Sequence, residues 1–262
     1  MRKLAVCGKG GSGKSSLVAL LAHGLHAHGY QILVVDSDES NPGLARKLGM
    51  LERPAPLLEL VGGKKNVFPA FSEGAVPLSN VLTQEQIRIS DLPPAYVAER
   101  QGIRMVSVGK IYQSLEGCAC PMGALSREFL GRLVLQDDEI ALVDMEAGVE
   151  SFGRGVEGSV DHVLVVVEPS FDSLELASQI HRMAREVQVR STWTIINKVM
   201  SDSLNQTMTQ NLAEKGLRVL GSIRYDQELM HAGLDGSPIA GGQAAADMAP
   251  VVDRILAEIE RP

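Results

Sequence analysis

Apolar positions along the chain alternate between two spacings. Short apolar runs at Leu4–Cys7, Ile32–Val35, Ile103–Val108, Ile140–Val143, Val163–Val167, Trp193–Ile196 and Val219–Ile223 read as strands. Between them, Ser15–His28 carries Leu17, Leu20, Leu21 and Leu25 at helical spacing and stops at Gly29. Pro121–Leu135, Leu174–Val187, Leu204–Lys215 and Ala244–Ile259 read as further helices. Residues 50–101 hold Pro54, Pro56, Pro69, Pro77, Pro93 and Pro94 and predict short helices and edge strands. Continuous apolar strands separated by helices imply a mostly parallel sheet covered on both faces, hence an α/β fold. With no repeat, low-complexity tract or linker, residues 1–262 read as one domain.

Composition narrows the function. Hydrophobic residues make up 45% of the chain, which excludes disorder. Lys plus Arg number 25 against 32 Asp plus Glu, a net charge of −7. That balance argues against a large nucleic-acid or anionic-membrane surface, so neither partner is expected. Aromatics are 4%, too few for a base-stacking platform. No apolar stretch nears the ~18 residues of a membrane span. A Gly-rich segment follows Met1 too soon for a secretory leader, and 3 Cys make no disulfide framework, so a cytoplasmic setting is expected.

The Gly-rich segment carries chemistry. Gly8-Lys9-Gly10-Gly11-Ser12-Gly13-Lys14-Ser15, followed by Ser16, fits G-x-x-x-x-G-K-[ST] between a predicted strand and helix, which predicts a P-loop nucleotide hydrolase. Its glycines free backbone N–H groups to wrap a phosphate, and the helix N-terminus adds positive potential. Lys14 is expected on the β- and γ-phosphates and Ser15 on Mg²⁺. Asp36 and Asp38 follow the second strand, at the end where open parallel sheets bind ligands. Asp38 is expected to orient the attacking water and Asp36 to organise Mg²⁺ waters; the other reading is an acidic cap for a helix after Pro42. Asp144, after another apolar strand, suits the position that holds Mg²⁺ through water. The N–H of Gly148 is placed to sense a γ-phosphate. Asn197-Lys198-Val199-Met200 lacks the Asp of the guanine-reading N-K-x-D motif, so ATP/ADP is favoured. Asn197 either contacts adenine or serves as a strand-end turn residue.

Lys9, directly after the first loop glycine, makes the segment resemble the deviant Walker A of the MinD/ParA/nitrogenase-iron-protein ATPases. The resemblance implies a homodimer in which Lys9 reaches the partner's nucleotide, acting as a cation supplied in trans. Ile223-Arg224-Tyr225-Asp226 resembles the loop of these ATPases that borders the base, which implicates Tyr225 and Asp226 beside Lys198. Glu146 stands where relatives commonly have Pro.

Gly117-Cys118-Ala119-Cys120-Pro121 precedes a helix, with Pro121 at its first position. In an extended segment the two thiols share a side, and the helix dipole favours thiolate. They read either as two small semi-buried residues or as half of a four-ligand metal site. A two-fold dimer would supply the other half. This pair, with Lys110-Ile111, Asp144-Met145-Glu146-Ala147-Gly148-Val149-Glu150, Gly153-Arg154-Gly155 and Val167-Glu168-Pro169-Ser170, resembles the nickel-insertion ATPases that mature carbon monoxide dehydrogenase. That likeness implies Ni²⁺ or Zn²⁺ on Cys118 and Cys120 of two subunits, a nucleotide- and metal-dependent homodimer, and an apo nickel enzyme as client. The alternatives are an iron–sulfur-linked ATPase and a partitioning ATPase of MinD/ParA type. His23, His26 and His28 lack the i, i+4 spacing of a helical metal clamp and read as a solvated helix end. Cys7 reads as core, and the last helix lacks the basic polar face of a membrane helix.

Overall fold

The computed structural model describes residues 2–38, 40, 42–71, 81–109, 120–149, 155–239 and 241–260. Its centre is an eight-stranded sheet with the order β3-β4-β2-β5-β1-β6-β7-β8. The strands are β1 (Lys3–Gly8), β2 (Gln31–Asp36), β3 (Ala98–Arg100), β4 (Ile103–Ser107), β5 (Glu139–Asp144), β6 (His162–Val167), β7 (Ser191–Val199) and β8 (Arg218–Arg224). Only the pairing of the edge strand β3 with β4 is antiparallel. The helices are α1 (Lys14–Ala27), α2 (Leu44–Lys47), α3 (Val67–Phe71), α4 (Cys120–Arg132), α5 (Phe171–Glu186), α6 (Asp202–Glu214), α7 (Gln227–Asp235) and α8 (Gly242–Ile259).

Strand side chains alternate between faces, and so does the core. Leu4 and Val6 of β1, Ile32 and Val34 of β2, and Leu164 and Val166 of β6 face α1, α2 and α8. Ala5, Cys7, Leu33, Val35, Val163 and Val165 face α4, α5 and α6. Both faces are therefore apolar, and the strands read as unbroken hydrophobic runs. The predicted α/β architecture with helices on both faces is present.

Several boundaries moved, some of them for clear local reasons. α4 stops at Arg132, not Leu135, because Leu133 pairs as an isolated bridge with Ile87. α5 starts at Phe171, since the Ser170 hydroxyl accepts from Ser173 N and caps it. β7 runs to Val199, so Asn197 and Lys198 lie within the strand instead of after it. α7 is not predicted by the apolar pattern. None of its residues is buried, so its apolar signal is weak, although Asp226 at its N-cap and Gly236 at its C-cap mark its ends.

Candidate functional site

The sheet order reverses at β1. Its neighbours β5 and β6 belong to the two opposite wings, and this is where open α/β sheets bind ligands. The turn after β1 is tightly constrained. Gly8 has φ +144°, and a Cβ there would strike the Val166 carbonyl oxygen of β6. Gly13 has φ +98°, and a Cβ there would strike the Asn197 amide. Glycine is thus required by the protein's own neighbouring strands as well as by close approach to a phosphate. Ser12 N donates to Lys9 O at 3.2 Å, and Leu17 N to Gly13 O at 3.0 Å opens α1.

Five predicted residues meet at this point. Lys14 and Ser15 are buried, as are Asp36, Asp38 and Asp144. The β2–β5 register sets Asp36 opposite Asp144, so two carboxylates end adjacent strands. Lys14 Nζ donates to Lys9 O at 3.4 Å, which aims the amine along the inside of the loop. Asp38 Oδ1 accepts from Ser40 N at 2.9 Å and Ser40 Oγ at 2.6 Å. Gly43, not Asp38, is the N-cap of α2, so the capping reading of Asp38 falls away. A cleft of about 420 Å³ is lined by Gly10, Gly11, Gly13, Lys14, Ser15, Ser16 and Asp38, with Ser40, Lys47 and Ala147 on its far wall.

Asp144 is fully buried, and among the described residues neither carboxylate oxygen has a well-formed hydrogen bond. Burial, then the Asp36 charge, pushes its pKa up to about 7, against the opposing pull of the Ser15 hydroxyl and Lys14. A fully buried carboxylate beside a hydroxyl and a second carboxylate fits Mg²⁺. Ser15, Asp144 and Asp36 are the residues that would hold the ion, with phosphate and water as its other oxygen ligands. Among the described residues no three His, Cys, Asp or Glu side chains gather as an all-protein metal cage.

A second cleft, of about 350 Å³, shares Gly11, Gly13 and Ser16 with the first and is walled by Asn197, Lys198, Tyr225, Asp226, Leu229 and Met230. A phosphate chain in one and a base in the other would straddle the loop. Asn197, expected either at adenine or as a strand-end turn residue, donates its amide N–H to Ser12 O at 2.7 Å and braces the loop. Asp226 is similarly committed. Its oxygens accept from Glu228 N, Leu229 N and Ala244 N, fixing the N-termini of α7 and α8. Tyr225 Oη lies 3.0 Å from Met230 Sδ, and these two form the apolar wall. Gly148, at φ +89°, donates its N–H to Gly8 O at 3.2 Å, so sensing a phosphate requires that bond to be exchanged. Lys9 does not line the phosphate cleft, and its amine lies beside Glu168 and Asp172.

The sequence reading missed Ser40, Leu229 and Met230, and quoted Glu168 without assigning it a role. Glu168 had a usable signal: it follows β6 as Asp36 and Asp144 end their strands.

Cys118, Lys110, Ile111, Glu150, Gly153 and Arg154 lie outside the described residues. Cys120 opens α4 at an exposed position. Cys7 is fully buried, as expected of core. His26 contacts Tyr30 O at 3.0 Å, and His28 lies 3.4 Å from Asp253, so these two helix histidines serve different local partners.

These features define a P-loop ATPase. The model of the family described as CobQ/CobB/MinD/ParA nucleotide binding domain matches residues 4–239, and the chain belongs to that family. It is 38% identical over 237 residues to an uncharacterised ATP-binding protein of Methanocaldococcus jannaschii, covering 90% of this chain and 93% of that one. It is 33% identical to the carbon monoxide dehydrogenase accessory protein CooC of Rhodospirillum rubrum, over 97% of each chain. The septum site-determining protein MinD of Pyrococcus horikoshii, solved with Mg-ADP, shares the fold at TM-score 0.71 and 15% identity, over 99% and 98% of the two chains. ATP or ADP with Mg²⁺ are the ligands this family membership implies.

Proposed function

We propose that this ATPase is a metallochaperone. ATP binding joins two copies and shapes a Ni²⁺ or Zn²⁺ site from Cys118 and Cys120 of each, and hydrolysis releases the metal to an apo nickel enzyme such as carbon monoxide dehydrogenase. The observation that carries the reading is the Cys118-Ala119-Cys120 pair in a chain so similar, end to end, to a carbon monoxide dehydrogenase accessory protein. Two soft ligands per chain are half a site, and a two-fold axis completes it.

The phosphate chain is held by the loop N–H groups and by Lys14, which stays beside the oxygens as charge builds on them. Asp38 orients the attacking water; its anchoring by Ser40 supports a fixed carboxylate there. Lys9, which does not line its own phosphate cleft, serves the nucleotide of the second copy. Mg²⁺ neutralises phosphate charge when held by Ser15 with Asp144 and Asp36. Asn197 keeps the loop in shape, and the wall of Tyr225 and Met230 receives adenine.

ATP can change metal affinity only if it favours one dimer arrangement over another. The test is Ni²⁺ and Zn²⁺ titration of the reduced protein alone, with ADP and with a non-hydrolysable ATP analogue. At least a tenfold difference between nucleotide states is expected. Equal affinities in all three would sink the coupling.

A further inference from the structure

Lys9 is held by its own chain. Its Nζ lies 3.5 Å from Glu168 Oε1 and 3.7 Å from Asp172 Oδ2. The other Glu168 oxygen accepts from Lys198 Nζ at 3.0 Å, and Lys198 Nζ also donates to Gly11 O at 2.6 Å. One carboxylate therefore bridges Lys9 to a lysine of the base cleft, which is itself pinned to the phosphate loop.

The bridge is pre-shaped. Glu168 directly follows β6, its N–H donates to Ser173 Oγ at 3.1 Å, and its carbonyl accepts from Ser170 N at 2.7 Å, with Pro169 between them. On the other side, Lys198 holds a left-handed backbone at φ +59° inside β7, uncommon for a residue with a Cβ. Burial pushes the Glu168 carboxyl up, but its hydrogen bonds and charge contacts with Lys198 and Lys9 outweigh burial and hold it below the ordinary range. The carboxylate is thus charged at neutral pH. Asp172 is far more exposed than Glu168, with side-chain exposures of 76% and 20%, so water screens it more.

We propose that Glu168 is a positioning residue for ATP hydrolysis: anchored by Lys198, it holds Lys9 against its own subunit, and two copies can exchange their lysines only by breaking this bridge in each. The inference rests on the reading that Lys9 acts in trans. Partly exposed ion pairs are worth a factor of a few each. A dimer breaks two, and the factors multiply to about tenfold in the dimer equilibrium. The arrangement disfavours wasteful pairing of subunits, since Lys9 is engaged only when nucleotide contacts offset the loss.

The experiment follows Mg·ATP hydrolysis per chain as the concentration of the full-length protein is raised. For Glu168→Gln, half-maximal specific activity is expected at about tenfold lower protein concentration than wild type, with KM for ATP within about twofold. Asp172→Asn should shift it by less than about threefold. Glu168→Asp, one methylene shorter, should shift it in the same direction and stands in should the Gln variant fail to fold by thermal melting. Adding Lys9→Ala to Glu168→Gln should leave the protein as inactive as Lys9→Ala alone. A folded Glu168 variant with the wild-type concentration dependence overturns the latch, as does a gain that survives Lys9→Ala. Lys9→Ala alone reports on the underlying reading. If it is inactive while the Glu168 variants match wild type, the trans lysine stands and only the latch fails. If it is as active as wild type, the trans reading fails and takes the latch with it.

Discussion

Asp144 and His162 are both buried and both shifted, in opposite senses. Asp144 keeps its proton to about pH 7 when folded, against an ordinary value of 3.8. Between pH 4 and 7 the folded chain thus binds an extra proton there, and this contribution to stability is lost as pH rises. His162 stacks on Trp193 with ring centroids 4.7 Å apart and an interplanar angle of 11°. Neither ring nitrogen has a hydrogen-bond partner among the described residues. Burial lowers its pKa from 6.5 to about 4, with Asp161 and Glu258 opposing and Arg190 assisting. The unfolded chain is then the one that binds the extra proton, and stability is lost as pH falls through the same window. The two groups largely offset each other in wild type. Separating them should uncover each. Asp144→Asn should abolish hydrolysis yet melt a few degrees above wild type at pH 7.5, with that advantage shrinking toward pH 4.5. His162→Phe keeps the stack and should gain most over wild type at pH 4.5. Calorimetric melts of the three proteins across this range check the signs, and differences from wild type that stay constant with pH would remove both assignments.

At the scale of elements, α8 closes one face of the sheet through two glycines. A Cβ on Gly24 of α1 would lie 2.7 Å from Val252 Cγ2, and one on Gly221 of β8 would lie 2.6 Å from Val251 Cγ2. Gly24 sits mid-helix, where Ala alone would add up to about 1 kcal/mol of helix propensity. The contact reverses that sign, because overpacking a filled core costs ~1–3 kcal/mol. Gly24→Ala should therefore lower the melting temperature by several degrees, and Gly24→Ala with Val252→Ala should recover most of it. A Gly24→Ala protein as stable as wild type would show that α1 and α8 can slide apart freely. Such contacts were not legible in the sequence, since a glycine inside a helical pattern does not reveal its neighbour. Strands were legible because both sheet faces are covered, so their runs are continuously apolar. α7 was not, because a half-exposed helix on the rim of a cleft has little to bury. At the site, spacing marked every loop residue and the carboxylates that end β2 and β5. It could not assign the side-chain partners of Asn197 and Asp226, which turn inward to brace backbone. Nor could it show that Glu168 faces two lysines brought together from β1 and β7 by the fold alone.

For the whole molecule, the phosphate loop and the cysteine pair make separable demands on a second copy. On the proposed reading the loop uses a partner's Lys9, and the metal uses a partner's thiolates. If one dimer serves both, losing one function should leave the other's contacts in place. In the reduced protein with an ATP analogue, one Ni²⁺ or Zn²⁺ per two chains is expected, since two thiolates per chain leave a tetrahedral or square-planar ion half-ligated. Cys118→Ala with Cys120→Ala should lose the metal while keeping Mg·ATP hydrolysis to within about threefold. Lys9→Ala should lose hydrolysis while its thiols still compete for the ion, at reduced affinity because ATP no longer stabilises the pairing. Solution mass and metal content, measured together on the same samples with and without reductant, separate the outcomes. One metal per chain would mean the site closes within a subunit and needs no symmetry axis. Bound iron with a brown colour after anaerobic purification would move the chain toward cluster chemistry. Silent cysteine variants in a protein that pellets with DNA or vesicles would return it to the positioning ATPases, against its charge of −7. A dimer that forms with ATP, holds a single thiolate-bound ion across its axis and releases it on hydrolysis is the only result in which both demands meet at one interface.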